Sequence, residues 1–172
     1  MDIKTVPIRL NSGETDFIKD LKYYLISNAS KLEGKDVFLL RNLSKKGVGF
    51  FVESSSFYPD FILWVVEGKR QRILFLDPKG IRETRNFNDS KVIFCREQTP
   101  ELAIKINDDL MRDGLDLKVS ICAYILSVTQ YKEVSLIWGE KGATKQEFEA
   151  NRILFMKEGD SRYLELLFDE DA

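Results

Sequence analysis

Two apolar runs, FILWVVE (61–67) and RILFLD (72–77), flank the short polar stretch GKRQ. Both are too short for ordinary helices and rich in β-branched and aromatic residues, so they predict paired strands buried on both faces at the centre of a sheet. Ahead of them VFLLRNL (37–43) and GVGFFV (47–52) predict two more strands across the turn-like SKK, with the serines of 54–56 as a loop. Phe17, Leu21, Tyr24, Leu25 and Asn28 recur at helical spacing behind NSGE (11–14), whose Asn11 and Glu14 have the spacing of a capping box. Downstream, Thr99 as N-cap, Pro100 in the first turn, Leu102, Ala103, Ile106 and Leu110 on the inner face and Gly114 as the stop predict a second long helix. LKVSICAYILSV (117–128) predicts a long strand, TKQEFEAN (144–151) a short helix and RILFMK (152–157) a strand; YLELLF (163–168) is compatible with either type. No repeat or break in composition divides the chain. The expected architecture is therefore one α/β domain over residues 1–172, a mixed sheet flanked by helices.

The hairpin carries charge at its open end, which needs a reason because buried charge is costly unless it is paired or bound to metal. With Gly68-Lys69 at the turn, opposed residues have numbers that add to 137. That register sets Asp60 directly across from Asp77, with Cβ atoms about 5 Å apart. Lys79, two residues on, points to the same face. Two bare carboxylates so placed repel, and a divalent cation resolves the conflict. Oxygen donors without histidine or a thiolate cluster favour a hard ion such as Mg2+, with the carbonyl of Pro78 as a further ligand. The plainer alternative is a turn-capping Asp60, an Asp77–Lys79 ion pair and a proline that stops the ladder.

Composition narrows the chemistry. The 172 residues contain no histidine, which removes His-activated nucleophiles, histidine bases and His-dependent metal clusters. No phosphate-binding loop of the G-x-x-x-x-G-K-[ST] form occurs, since GEKGATK (139–145) lacks its ending. Cys95 and Cys122 both lie in apolar stretches and read as core residues. Trp64 and Trp138 are assigned to packing, and NDDLMRDGLD (107–116) lacks calcium-loop spacing. With 44% hydrophobic and 31% charged residues, a net charge of -2 and no leader or membrane-length apolar run, a soluble cytoplasmic protein is expected.

Pro59-Asp60 followed by Asp77-Pro78-Lys79 resembles the PD-(D/E)xK nuclease superfamily. The wording around them, VFLLRNLSKKGVGFF (37–51), FYPDFILW (57–64) and ILFLDPKGIR (73–82), is similar to the C-terminal endonuclease domain of the Res subunit in type III restriction enzymes, clearly from about residue 10 to 82 and more loosely beyond. The resemblance implies a restriction-endonuclease-like αβββαβ core and Mg2+-dependent hydrolysis of double-stranded DNA, with Asp60 and Asp77 as metal ligands and Lys79 acting on the attacking water and the phosphate charge. It also implies a helicase/ATPase domain and a Mod-type methyltransferase subunit as partners. Glu14 falls where many such nucleases have a helix-one glutamate assisting the metal, although its capping box accounts for it equally well. Gly80, Arg82 and Arg85 are the DNA-contacting candidates.

From Lys69 to Arg96 eight basic side chains face three acidic ones, which suggests a DNA-facing edge on a mildly acidic body. Phe57 and Tyr58 read as base-stacking or, more simply, as core. A non-catalytic DNA-docking or assembly module of the same fold is the alternative reading, and a phosphodiesterase acting on RNA or nucleotides a third.

Overall fold

The computed structural model describes residues 9–52, 55–82, 86–138 and 142–169. Helix α1 (Ser12–Ser27) opens with the expected capping box: Asn11 Oδ1 accepts from the Glu14 amide at 2.8 Å and Glu14 Oε2 accepts from the Asn11 amide at 3.1 Å. A 3-10 turn (Ala29–Leu32) leads to β1 (Asp36–Arg41). Strands β2 (Phe50–Val52) and β3 (Ser55–Phe57) follow, then β4 (Phe61–Glu67) and β5 (Arg70–Lys79). Five strands, β1, β4, β5 and the later β6 (Lys118–Ser127) and β7 (Ile153–Phe155), form one mixed sheet in the order β1-β4-β5-β6-β7. The first three run antiparallel, and β6 and β7 add in parallel. Strand β5 thus occupies the centre, as its two-sided apolar pattern predicts.

Strand GVGFFV does not join this sheet. Only its last three residues are extended, and they pair with 55–57, part of the expected serine loop, in a separate hairpin. Phe50 on that hairpin packs against Phe75 and Phe94, with ring centroids 4.8 and 4.6 Å away, so the hairpin covers one face of the sheet instead of extending it.

The second helix also starts earlier than expected. Asp89 caps α2 (Ser90–Ile93), which runs through a π-turn (Phe94–Gln98) into α3 (Thr99–Arg112). Thr99 is therefore interior: its hydroxyl donates to the Cys95 carbonyl at 3.0 Å. The π-turn sits where Pro100 has no N–H to continue the regular ladder, the kind of place where such bulges arise. The helix ends as expected at Gly114, with φ +73.

Two cores lie on the sheet's two faces. Phe17, Leu21 and Tyr24 of α1 pack on Leu63, Leu74, Leu76 and Leu126. Phe57, Phe75, Cys95 and Ile125 belong to the other, with Leu102, Ala103, Ile106 and Leu110 of α3 against it. α4 (Tyr131–Val134), α5 (Lys145–Ala150) and α6 (Arg162–Phe168) complete the layers, so YLELLF is helical. Among the described residues no helix is long and apolar enough to cross a membrane.

Candidate carboxylate site at the end of the hairpin

The β4–β5 ladder runs from Glu67↔Arg70 to Phe61↔Leu76, the register expected from the Gly68-Lys69 turn. One step further lie Asp60 and Asp77. Ile62 and Phe75 face the α2–α3 layer, so period-two alternation turns Asp60, Asp77 and Lys79 to that side. Lys79 Nζ is 3.3 Å from Asp77 Oδ2, and Asp77 is 8% exposed.

β5 outruns β4 at this point. The Lys79 carbonyl accepts from the Val128 amide, so the backbone of Lys79 faces β6 and that of Pro78 faces the opposite, unpaired side. Proline costs no ladder bond there. Its carbonyl oxygen lies over the first turn of α1, 3.8 Å from where a Cβ on Gly13 would stand.

Asp60 is held from behind by β1. The Asn42 amide donates to the Asp60 carbonyl at 2.8 Å, and Asn42 Nδ2 donates to the Pro59 carbonyl at 2.8 Å and the Val48 carbonyl at 2.7 Å. Asn42 Oδ1 accepts from the Val48 amide, so one buried side chain clamps the 43–48 loop to the Pro-Asp turn. Glycine is required twice along this loop: a Cβ on Gly47 would sit 1.9 Å from Asn42 Oδ1, and one on Gly49 would sit 2.2 Å from the Tyr58 ring. Tyr58 is thereby packed on backbone, and Phe57 is fully buried; the core reading holds for Phe57.

Electrostatically the rim is crowded. Burial first, then the charge of Asp77, the charge of Glu14 and a hydrogen bond with Asp77 push the Asp60 carboxyl up from 3.8 to about 7, against the pull of the Arg41 guanidinium. A hydrogen bond between two carboxyl groups requires a proton between them. Glu14 keeps its cap and pairs with Arg41 Nη2 at 3.1 Å, and its charge is felt at Asp60; the capping role is seen directly. Behind Asp77, the Cys95 thiol is pushed up to about 12, by burial first and then by the Asp77 charge.

Arg41 and Asn42 were missed by sequence reasoning. Their signal lay in the pairing of β1 with β4, which ends at Arg41↔Phe61 and sets the next residue beside Asp60, but nothing local announces which strand β1 will pair with.

The DNA-contacting candidates fare unevenly. Arg82 is exposed and ion-paired with Glu133, and Arg85 lies outside the described residues. Gly80 is exposed, and the nearest atom to a Cβ there, Thr129 Oγ1, would be 3.6 Å away, so the protein's own packing does not demand glycine. The basic stretch does not form one edge: Lys69, Arg70 and Arg72 lie at the turn end of β5 and Lys79 at the other, while Arg96 pairs with Glu97.

Trp138 is fully buried with its indole donating to the Ile81 carbonyl at 3.3 Å, whereas Trp64 is 40% exposed. Cys95 is buried and Cys122 partly so.

Among the described residues no three Asp, Glu, His or Cys side chains converge as a metal cage. Two facing carboxylates, Asp77 buried and Asp60 half-buried, instead suit a hard ion that keeps most of its waters, as Mg2+ does. The donor set fits such an ion and does not fit a closed zinc or calcium site. Comparison of the chain with known family models, with curated proteins and with solved structures finds no match.

Proposed function

We propose that this chain is a Mg2+-dependent endonuclease domain of the PD-(D/E)xK type, hydrolysing phosphodiester bonds of double-stranded DNA. The observation that carries the reading is the 137 register, which brings Asp60 and Asp77 to one rim with the Lys79 ammonium 3.3 Å from Asp77. A five-stranded mixed sheet flanked by helices, with β1, β4 and β5 antiparallel and β6 parallel, is the architecture on which the reading rests its expectation of an αβββαβ core.

In this reading Asp60, Asp77 and the Pro78 carbonyl hold the ion. Bound Mg2+ supplies Lewis-acid polarisation of the phosphate and acidifies a water. The rest falls to the chain. Lys79, anchored by Asp77, orients the attacking water and stabilises the charge that grows on the phosphate oxygens. Asp60 would act as a ligand only as the free carboxylate, so holding the ion would require it to release the proton it shares with Asp77. Arg41, paired with Glu14, offsets part of the negative charge around Asp60 from the α1 side. A helicase/ATPase domain and a methyltransferase subunit as partners, and Gly80, Arg82 and Arg85 as DNA contacts, belong to the same proposal and rest on the family resemblance.

The test is supercoiled plasmid incubated with Mg2+ and with EDTA. Nicking or linearisation by the wild type, lost in Asp77→Ala and Lys79→Ala, supports the reading; cleavage that persists unchanged in both variants removes these residues from the mechanism. That no third acidic ligand joins the pair among the described residues favours one rival, a DNA-docking or assembly module with no catalysis. Calorimetric titration with Mn2+ separates them: no heat and no thermal stabilisation would favour the rival.

A further inference from the structure

β1 is an outer strand of the five-stranded sheet: among the described residues it pairs with β4 on one side and with no strand on the other. One hydrogen bond decides which of its backbone groups face outward. The Asn42 amide donates to the Asp60 carbonyl one step beyond the ladder that pairs Asp36 with Val66 and Arg41 with Phe61. Bonded and unbonded positions alternate in an antiparallel ladder, so Asp36, Phe38 and Leu40 turn their N–H and C=O groups to β4. Val37 and Leu39 turn theirs away from the sheet.

Outer strands of soluble proteins are commonly blunted by lysine, proline or a bulge. The run VFLL (37–40) has neither residue, and its register with β4 is unbroken. Its side chains are open as well. Phe38 and Leu40 are each 58% exposed, and Trp64, opposite Phe38 on β4, is 40% exposed. These three share the α2–α3 face of the sheet with Ile62, and Leu39 is 37% exposed on the other face.

We propose that β1 is a dimerisation edge, pairing antiparallel with β1 of a second copy about a two-fold axis through Leu39. Self-complementarity selects this occupant. A two-fold sets the same patch against itself, and VFLL is uncharged, so a second copy meets no repulsion along it. With Leu39 on the axis, the two Leu39 residues exchange both hydrogen bonds, and Phe38 of each copy meets Leu40 of the other beside the Trp64 rings. An axis through Phe38 would instead set Lys35 of one copy against Arg41 of the other. Phe38, Leu39, Leu40 and Trp64 together expose on the order of 400 Å2 in each copy, so a pair covers up to about 800 Å2 of side chain besides the joined backbone. That area is at the low end for specific interfaces and gives a concentration-dependent dimer.

Sedimentation velocity on the full chain, from micromolar to submillimolar concentration in reducing buffer, tests this. A monomer–dimer equilibrium is expected. Leu40→Lys should weaken it about tenfold or more. Leu39→Pro should do the same with the fold kept, since it removes an N–H that faces away from the sheet. Asp77→Ala should dimerise as the wild type does, because the edge is independent of the carboxylate site. Under oxidising conditions Leu39→Cys should give a disulfide-linked dimer, and Tyr23→Cys, exposed on α1, should not. A chain that stays monomeric throughout, which would leave the edge to a strand of another protein, overturns the proposal. So does association unchanged in Leu40→Lys, or growth beyond two copies.

Discussion

Replacing Asp60 by asparagine should make the metal-free protein more stable at neutral pH, the opposite of what removing a buried, partnered side chain usually does. A carboxyl raised from 3.8 to about 7 is protonated in the folded state and ionised in the unfolded chain between those values, so the folded state binds the extra proton. Its stabilising contribution is complete below pH 3.8 and is lost as pH rises through about 7. At about 1.4 kcal/mol per pH unit the displacement would amount to about 4 kcal/mol in a sealed site. Asp60 is only half-buried, and solvent screening reduces this to about 2 kcal/mol. Asparagine keeps the shape, can still hydrogen-bond to Asp77 and never ionises. The assay is urea or thermal unfolding in EDTA at several pH values from 5 to 8, read as the difference between Asp60→Asn and wild type. The variant should gain about 1 kcal/mol on going from pH 5 to pH 8, since this range covers only the upper part of the 3.8-to-7 window, or about 2–4 °C in Tm for a chain of this size. With excess Mg2+ the wild type should recover stability and the variant should not. A difference that is flat across this range, or that falls with pH, would refute the crowded, proton-sharing picture of the rim.

Other consequences follow from the same structure. Asn42→Ala should lose about 2–4 kcal/mol in chemical denaturation, because three short hydrogen bonds to the 43–48 loop and Pro59 vanish together; a loss below about 0.5 kcal/mol would mean the clamp is not needed. Phe57→Ala, at a fully buried position between the small hairpin and Phe94, should cost about 3–5 kcal/mol, whereas a base-stacking role predicts little change in stability. Cys95 should resist thiol reagents at pH 8 until the protein unfolds, with Cys122 reacting first, and rapid labelling of Cys95 in the native protein would contradict its burial.

Much of the architecture is legible locally. The capping box at Asn11 and Glu14, the helical stop at Gly114 and the tight turn at Gly68 are each written in a few neighbouring residues, because caps and turns satisfy their own backbone groups. The turn also dictates the register, since two strands joined by two residues can pair in essentially one way, and so the meeting of Asp60 with Asp77 followed from sequence. What local pattern could not decide was partnership between distant segments. GVGFFV reads as a sheet strand by composition, yet it left the sheet because Phe50 buries itself better against Phe75 and Phe94. Thr99 reads as a cap, yet the helix runs through it, since tertiary packing of Phe94 and Cys95 extends helical backbone upstream. Charge counted along the chain suggested one basic edge; β5 is long enough to carry its two ends to opposite rims, so the same residues serve two separate places. Short-range backbone chemistry thus determined the hairpin and its acidic pair. Only the folded chain could bring Arg41, Asn42 and Glu14 to that pair and leave Phe38, Leu40 and Trp64 exposed along one edge, because those neighbours are chosen by which hydrophobic faces bury one another.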